Sequence, residues 1–445
     1  MSSSVRILGS RAREQLPGTS ITLRAPGFRG VVAQLATGGV APRVHALPFA
    51  EAAADAEVML AAQLSLHLEP APNEGRAGLR SRSALATHPR LIVPRRHGIA
   101  YALLQTDEDG VSSFLFAESR SVDEAVFALT IATERPAHRT LRVFLWPEQT
   151  VLASGALASV SRFEARHRPN RIAQLTSNGG WRAPDWDALS RGPALLLLHG
   201  TFGTPQSTFD DWLRDESFAR VLARYDGRCI AFAHPTLSLS PDENLAWLLA
   251  NLPPRQDCVD IVAHGRGGLL ARLIAEDGRL PVRRVCLVGA PNHGTPLVRD
   301  AELGRYLDGH VALLTGARRD VAAPTLQGAL SVARLVAMNL APELPGLEAM
   351  APDSLTLRAL GVLHAPATQW FTVGAQYSGV GAPRASGLDP GDFAAVPNDG
   401  VVPSEGCHLP GVTPAESLKL GGADVHHHNY FANAHVRARL DAWLE

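Results

Sequence analysis

Hydrophobic and polar positions alternate in two different ways along this chain, and the change falls near residue 193. Upstream, short apolar or alternating runs at 21–23, 30–35, 111–116, 125–131 and 140–145 are separated by Pro, Gly and Asp turns. Runs of this length read as β-strands, and their spacing predicts a β-rich, sandwich-like domain over 1–163, with a helix over about 51–65. Between 164 and 192 the chain turns polar and is broken by Pro169, Gly179, Gly180, Pro184 and Gly192. That composition predicts a linker or strap.

From Pro193 onward apolar runs alternate with amphipathic ones. Strands are expected over 194–199, 228–233, 258–263, 283–289 and 368–375. Helices are expected over about 208–224, 242–252, 266–277 and 433–444. The pattern predicts an α/β domain over 193–445, with a mostly parallel sheet and helices on both faces. Within it, Leu330, Ala333, Val336, Ala337 and Leu340 have helical spacing before Pro342 and Pro345 break the run. This stretch fits a lid inserted at about 298–356, either packing on a cap or walling an acyl pocket.

At 445 residues the chain exceeds one ordinary domain. A formal net charge of −1 gives no electrostatic argument for a nucleic-acid partner. Six arginines between Arg76 and Arg96 read as a solvated loop rather than an anion-binding surface. The cysteines, Cys229, Cys258, Cys286 and Cys407, form no CxxC pair, which fits a reduced protein. Met1–Arg6 lacks the apolar core of a secretory signal, and no apolar run reaches the ~18 residues of a transmembrane span. The expectation is a soluble, cytoplasmic protein.

The chemistry concentrates at Ala263-His264-Gly265-Arg266-Gly267-Gly268. An apolar strand precedes this turn and a helix comes after it, the setting of a G-x-S-x-G nucleophile elbow. Position 265 is where the nucleophile belongs, and it holds glycine. Three further segments, with the elbow, resemble the lipase-like branch of the α/β-hydrolase family over about 190–445. They are Leu195–Gly203 with its His199-Gly200 pair, Gly289–Leu297, and Val396–Pro403 followed by His426-His427-His428-Asn429-Tyr430-Phe431.

The resemblance implies an α/β-hydrolase fold and an esterase or lipase acting on acyl or lipid esters without a cofactor. It implies backbone N–H donors at Thr201 and Arg266 for an oxyanion, Asp399 as the acid and His427 as the base. His426 and His428 stay open as alternatives for the base. His293 precedes the acid in chain order and reads as structural. Ser404, Cys407 and Thr201 lie off the elbow and make poor substitute nucleophiles. A metal is not expected, since three consecutive histidines point in different directions and match no zinc-ligand spacing.

With Gly265 no acyl-enzyme forms by the family's mechanism, and loss of a triad nucleophile typically costs about 10⁶ in turnover. The chain is therefore expected to be inactive as given. Either a serine has been replaced, which the otherwise complete motif set favours, or the glycine is native and the chain is a pseudo-hydrolase that binds lipid or protein. The β-rich half carries no catalytic element and is expected to act in recognition, with a protein partner as one role.

Overall fold

A computed structural model of the chain describes residues 4–16, 18–35, 59–71, 88–108, 112–117, 123–131, 136–147, 153–176, 179–254, 257–298, 344–361, 365, 367–379 and 393–445. The described residues fall into two compact units, one over 4–147 and the other over 153–298 and 344–445.

In the first unit, β1 (Ser4–Ile7), β4 (Phe28–Leu35), β5 (Met59–Pro70), β10 (Ala137–Pro147), β7 (Ile99–Thr106) and β8 (Ser112–Leu115) form a six-stranded sheet in that order. A four-stranded sheet holds β2 (Glu14–Gln15), β3 (Thr22–Arg24), β6 (Arg90–Pro94) and β9 (Glu124–Ala128). Every pairing is antiparallel. Along β5 the buried positions are Ala62, Leu64, Leu66 and Leu68, and they share one core with Leu23, Leu91, Val93 and Phe127 of the smaller sheet. β5 corrects the helix expected over 51–65. Local alanine content favours a helix, but the period-two burial of 62–68 sets the strand. Residues 51–58 lie outside the described residues.

The second unit is an eight-stranded sheet in the order β12-β11-β14-β13-β15-β16-β17-β18. Its strands are β11 (Arg171–Leu175), β12 (Trp181–Arg182), β13 (Ala194–Leu198), β14 (Cys229–Ala233), β15 (Val259–His264), β16 (Val282–Val288), β17 (Gln369–Tyr377) and β18 (Glu416–Gly422). From β14 to β18 all neighbours are parallel, and β11 runs antiparallel to β14. The chain leaves β13 for β14 on one side and then returns to pair β15 on the other. Loops at the carboxyl ends of such a switch point splay apart and leave a crevice where ligands bind.

Both faces of β13 are buried, which explains its unbroken run of leucines. Leu195 and Leu197 pack with Phe209 and Trp212 of α3 (Pro205–Leu213), Phe218 and Val221 of α4 (Glu216–Arg224), and Val436 and Leu440 of α9 (Ala434–Trp443). Leu196 and Leu198 pack with Leu248 of α5 (Pro241–Asn251) and with Leu270 and Ile274 of α6 (Gly267–Asp277). Thr204 and Ser240 cap α3 and α5, each followed by a proline in the first turn.

The stretch 164–192 is not a linker. Helix α1 (Ala153–His167), β11, β12 and α2 (Trp186–Leu189) all belong to the second unit, so the division falls near 151 rather than 163. The Glu164 side chain is buried and accepts from the Thr236 N–H (2.8 Å), the Leu237 N–H (3.1 Å), the Ser238 N–H (2.8 Å) and the Ser238 O–H (2.6 Å). Polarity misled here because a fully bonded carboxylate reads in sequence like a solvated one. Of the expected lid, 299–343 lies outside the described residues. Its C-terminal end carries two short helices, α7 (Pro345–Glu348) and α8 (Leu355–Ala359).

Candidate active site

β15 is buried along its whole length and ends at His264. Gly265 turns the chain at φ 52°, and α6 starts at Gly267. The Gly265 N–H donates to Val288 O of β16 (3.0 Å), and its carbonyl accepts from the Gly268 N–H (2.9 Å). A left-handed φ strains any residue with a Cβ, and glycine takes it without cost. A Cβ built on Gly265 would stand 3.1 Å from His427 Nε2, 3.5 Å from His427 Cε1 and 3.6 Å from Gly200 Cα. Three distant segments therefore meet at one point.

Asp399 lies in a tight turn closed by its N–H to Val402 O at 3.1 Å. Its Oδ1 accepts from the N–H groups of Val401 (3.0 Å) and Val402 (2.7 Å). Its Oδ2 accepts from His427 Nδ1 (2.8 Å) and from the Tyr430 hydroxyl (3.0 Å). Burial pushes this carboxyl up, but the charge and hydrogen bond of His427 and the two backbone donors outweigh burial and hold it below its ordinary value. Gly289 underlies the pair at φ 57°, and a Cβ there would come within 2.7 Å of Tyr430 Cε2 and 3.2 Å of Asp399 Oδ2.

Of the three adjacent histidines, His427 is the one whose Nδ1 meets Asp399 and whose Nε2 faces Gly265. His426 is buried, lies edge-on to Tyr377 at 5.2 Å, and accepts the His428 N–H at its Nδ1 (3.2 Å). Burial lowers its pKa to about 4. His428 stands perpendicular to His427, with ring centroids 5.4 Å apart.

The loop after β13 carries Thr201. The Gly200 carbonyl accepts from His199 Nδ1 (2.9 Å) and from the Gly203 N–H (3.1 Å). His199 Nε2 accepts the His234 N–H (3.2 Å), which leaves the ring proton on Nδ1. A peptide unit is planar and trans, so holding the Gly200 oxygen aims the Thr201 N–H the opposite way. Among the described residues that N–H is bonded to no acceptor. The next residue, buried Phe202, has φ 60°, a strained conformation for a bulky residue.

Arg266 directly follows Gly265, and its side chain is buried. It donates to Gly346 O (2.9 Å), Asn244 Oδ1 (3.0 Å) and, through Nη2, to Leu239 O. It thus ties the elbow to α5 and α7. His264 donates from Nε2 to His427 O (2.7 Å), and burial, with the adjacent His427 charge, lowers its pKa to about 3. It braces His427 as a neutral ring.

Sequence reasoning named Gly265, Thr201, Arg266, Asp399 and His427 but gave no role to His199, His264, Gly289 or Tyr430. Only the quoted motifs around those four signalled them. Ser404 donates to Ala375 O (2.5 Å), and burial pushes the Cys407 thiol well up. His293 is exposed, and only its backbone N–H engages the site's surroundings, at Gly406 O (3.1 Å). Among the described residues no group of three or more His, Cys, Asp or Glu is arranged to hold a metal, and no helix is long and apolar enough to cross a membrane.

Among solved structures the chain is similar to lipase 1 from Pelosinus fermentans at 13% identity and TM-score 0.40, covering 57% of this chain and 97% of that one. It is similar to the mature lipase BlEst2 from Bacillus licheniformis at 19% identity and TM-score 0.32, covering 57% and 92%. It is also similar to the enol-lactonase from Burkholderia xenovorans LB400 at 13% identity and TM-score 0.33, covering 62% and 96%. None of these likenesses assigns an activity to this chain. No curated protein matches it. The family described as a domain of unknown function, DUF7379, matches residues 165–445, most of the chain and every site residue above, so the chain belongs to the DUF7379 family.

Proposed function

We propose that the second unit is an α/β-hydrolase of the esterase or lipase kind, built to receive an acyl ester. The ester's carbonyl oxygen is received by the N–H groups of Thr201 and Arg266. His427 acts as base, Asp399 fixes its tautomer, and glycine stands where the acyl-carrying hydroxyl belongs. The observation that carries this reading is the hydrogen-bonded Asp399–His427 pair, with Nε2 3.1 Å from the position of a Cβ on Gly265. Nucleophile, base and orienting acid in that relation are the requirement of acyl transfer. Without the hydroxyl, the chain as given forms no acyl-serine.

Gly265→Ser tests the reading. The variant is expected to hydrolyse short-chain alkyl esters and to react covalently with a fluorophosphonate, and Asp399→Asn on that background should lower turnover by about 10⁴. A folded Gly265→Ser protein that neither hydrolyses esters nor takes the probe rules the reading out.

A second reading is a native binding module. It is favoured by the same 3.1 Å approach, which is tighter than an ordinary Cβ contact and shows the His427 ring close against the glycine. That reading expects the Gly265 chain to bind a fatty acyl ester that it does not cleave.

A further inference from the structure

We propose that, in the chain bearing Gly265, His427 is itself the acyl acceptor for activated acyl donors, namely aryl esters and thioesters. This rests on the reading of the second unit as an acyl site, and adds an activity that needs no serine. Among the described residues, glycine at 265 leaves an imidazole nitrogen as the nearest side-chain atom facing the elbow, 3.1 Å from the position of a Cβ. The same point lies 3.6 Å from Gly200 Cα, at the start of the loop whose Thr201 N–H is aimed by the braced Gly200 carbonyl.

The tautomer suits a nucleophile. Asp399 is held ionised and only accepts, so the bond at 2.8 Å places the imidazole proton on Nδ1 and the lone pair on Nε2. Histidine forms covalent intermediates when so placed. The ring is also held in position, because the His427 N–H donates to Asp399 O (3.0 Å) and the His427 carbonyl accepts from His264 (2.7 Å).

The step and its balance set the substrate class. The Nε2 lone pair forms the new bond to the acyl carbon, and the carbonyl π pair moves to oxygen, facing the Thr201 N–H. Collapse of this intermediate breaks the bond to the leaving group, which departs with the bonding pair. His427 has no proton to give it, since its one ring proton is on Nδ1 against Asp399. The leaving group must therefore go as an anion. An aryl oxide or a thiolate does so readily, and the alkoxide of an ordinary alkyl ester does not. The acylimidazolium that results is cationic, and the Asp399 carboxylate lies against it. Water then adds to the acyl carbon, the C–N pair returns to Nε2, and the water's proton passes to solvent. Residue 265 thus selects the leaving group, with glycine restricting the chain to activated esters and serine admitting alkyl esters.

The test uses the full chain with p-nitrophenyl acetate and, separately, tributyrin. The expected result is release of nitrophenolate at least tenfold faster than in His427→Ala, an acetyl group on His427 after a rapid quench into denaturant at neutral pH, where the unfolded chain carries the uncharged and slowly hydrolysed acylimidazole, and no cleavage of tributyrin. Asp399→Asn should slow acylation at least tenfold. Site mapping in the unsubstituted chain keeps the test valid if His427→Ala does not fold. Absence of acetyl from His427, or acetyl found only on other residues, overturns the proposal. If in that case Gly265→Ser still reacts with the fluorophosphonate and cleaves tributyrin, the acyl-ester reading stands and only this inference falls. If the serine variant is silent as well, both fall.

Discussion

The two units differ in what they bury. The first, among its described residues, buries Gln105, Thr106, Ser112 and Arg142, and these bond locally. Thr106 and Ser112 hydroxyls meet at 2.9 Å, Arg142 donates to Thr106 (3.1 Å), and Gln105 bonds both backbone groups of Thr130. The second unit buries Glu164, Asp260 and Asp399 together with His199, His234, His264, His426 and His427. Apart from Asp260, which is held by Tyr225 and Arg283, these groups belong to the site or brace the loops beside it, as Glu164 of α1 does for residues 236–238. Burying an ionisable group is costly unless it is fully bonded or kept neutral. Among the described residues the first unit buries one ionisable side chain of this kind, Arg142, whereas the second gathers most of its buried carboxylates and histidines about its switch point.

The largest break in this comparison is expected at Glu164. Glu164→Ala strands three backbone N–H groups and the Ser238 hydroxyl inside the protein. At about 1–3 kcal/mol for each unsatisfied group, partly recovered by relaxation, the second unit should lose on the order of 4 kcal/mol. Urea unfolding of a 152–445 fragment reads this directly. That fragment should unfold cooperatively, while one starting at 169, which lacks Glu164, should not. Equal cooperativity in both fragments would show that α1 is dispensable and return the boundary to the one expected from sequence.

Acid should separate the units next. His199 and His264 have folded-state pKa values of about 3 against 6.5 unfolded, and burial is the main cause. Below pH 6.5 the unfolded state takes up protons that the folded state refuses. Their contribution is therefore complete above pH 6.5 and is lost as pH falls toward 3. The loss amounts to on the order of 1 kcal/mol per pH unit for each histidine. No histidine is buried among the described residues of the first unit. Hydrogen exchange at pH 7 and pH 4.5, corrected for intrinsic rates, should show protection falling in 259–288 and persisting in β5 and β10. A parallel loss in both would remove the contrast.

Much of this was legible because one period governs each region. The runs at 194–198, 229–233, 259–264, 282–288 and 369–377 are buried on both faces and carry their own signal. β18 was missed because an edge strand reading Glu-Ser-Leu-Lys-Leu-Gly-Gly is half solvated. The expected helix 208–224 divides at Asp215, whose side chain caps a second helix. At the site, motif order located Gly265, Asp399 and the histidine cluster. Local periodicity could not choose among His426, His427 and His428, because the choice depends on a turn 28 residues upstream. Glu164 was illegible for a related reason, since its partners lie more than 70 residues away.

The smallest effect, and the sharpest test of how the site is tuned, concerns Tyr430. Its hydroxyl (3.0 Å) and His427 Nδ1 (2.8 Å) share Asp399 Oδ2, while Oδ1 is filled by two backbone donors. Burial and the Asp399 charge push the phenol well above its ordinary pKa, so it remains a donor throughout the working range. Each donor drains charge from the carboxylate, and the tyrosine therefore weakens the pull of Asp399 on an imidazolium. Tyr430→Phe removes that donor without adding volume. On the Gly265→Ser background, the acid limb of the kcat/KM profile should move to higher pH by less than about one unit, since one hydrogen bond to a charged group is worth roughly 1.5–3 kcal/mol and His427 takes up only part of it. Turnover well above that limb should fall only a few-fold. A loss that is uniform across pH would make Tyr430 a packing residue and nothing more. A limb displaced to lower pH would reverse the sign and show that the hydroxyl strengthens the Asp399–His427 pair.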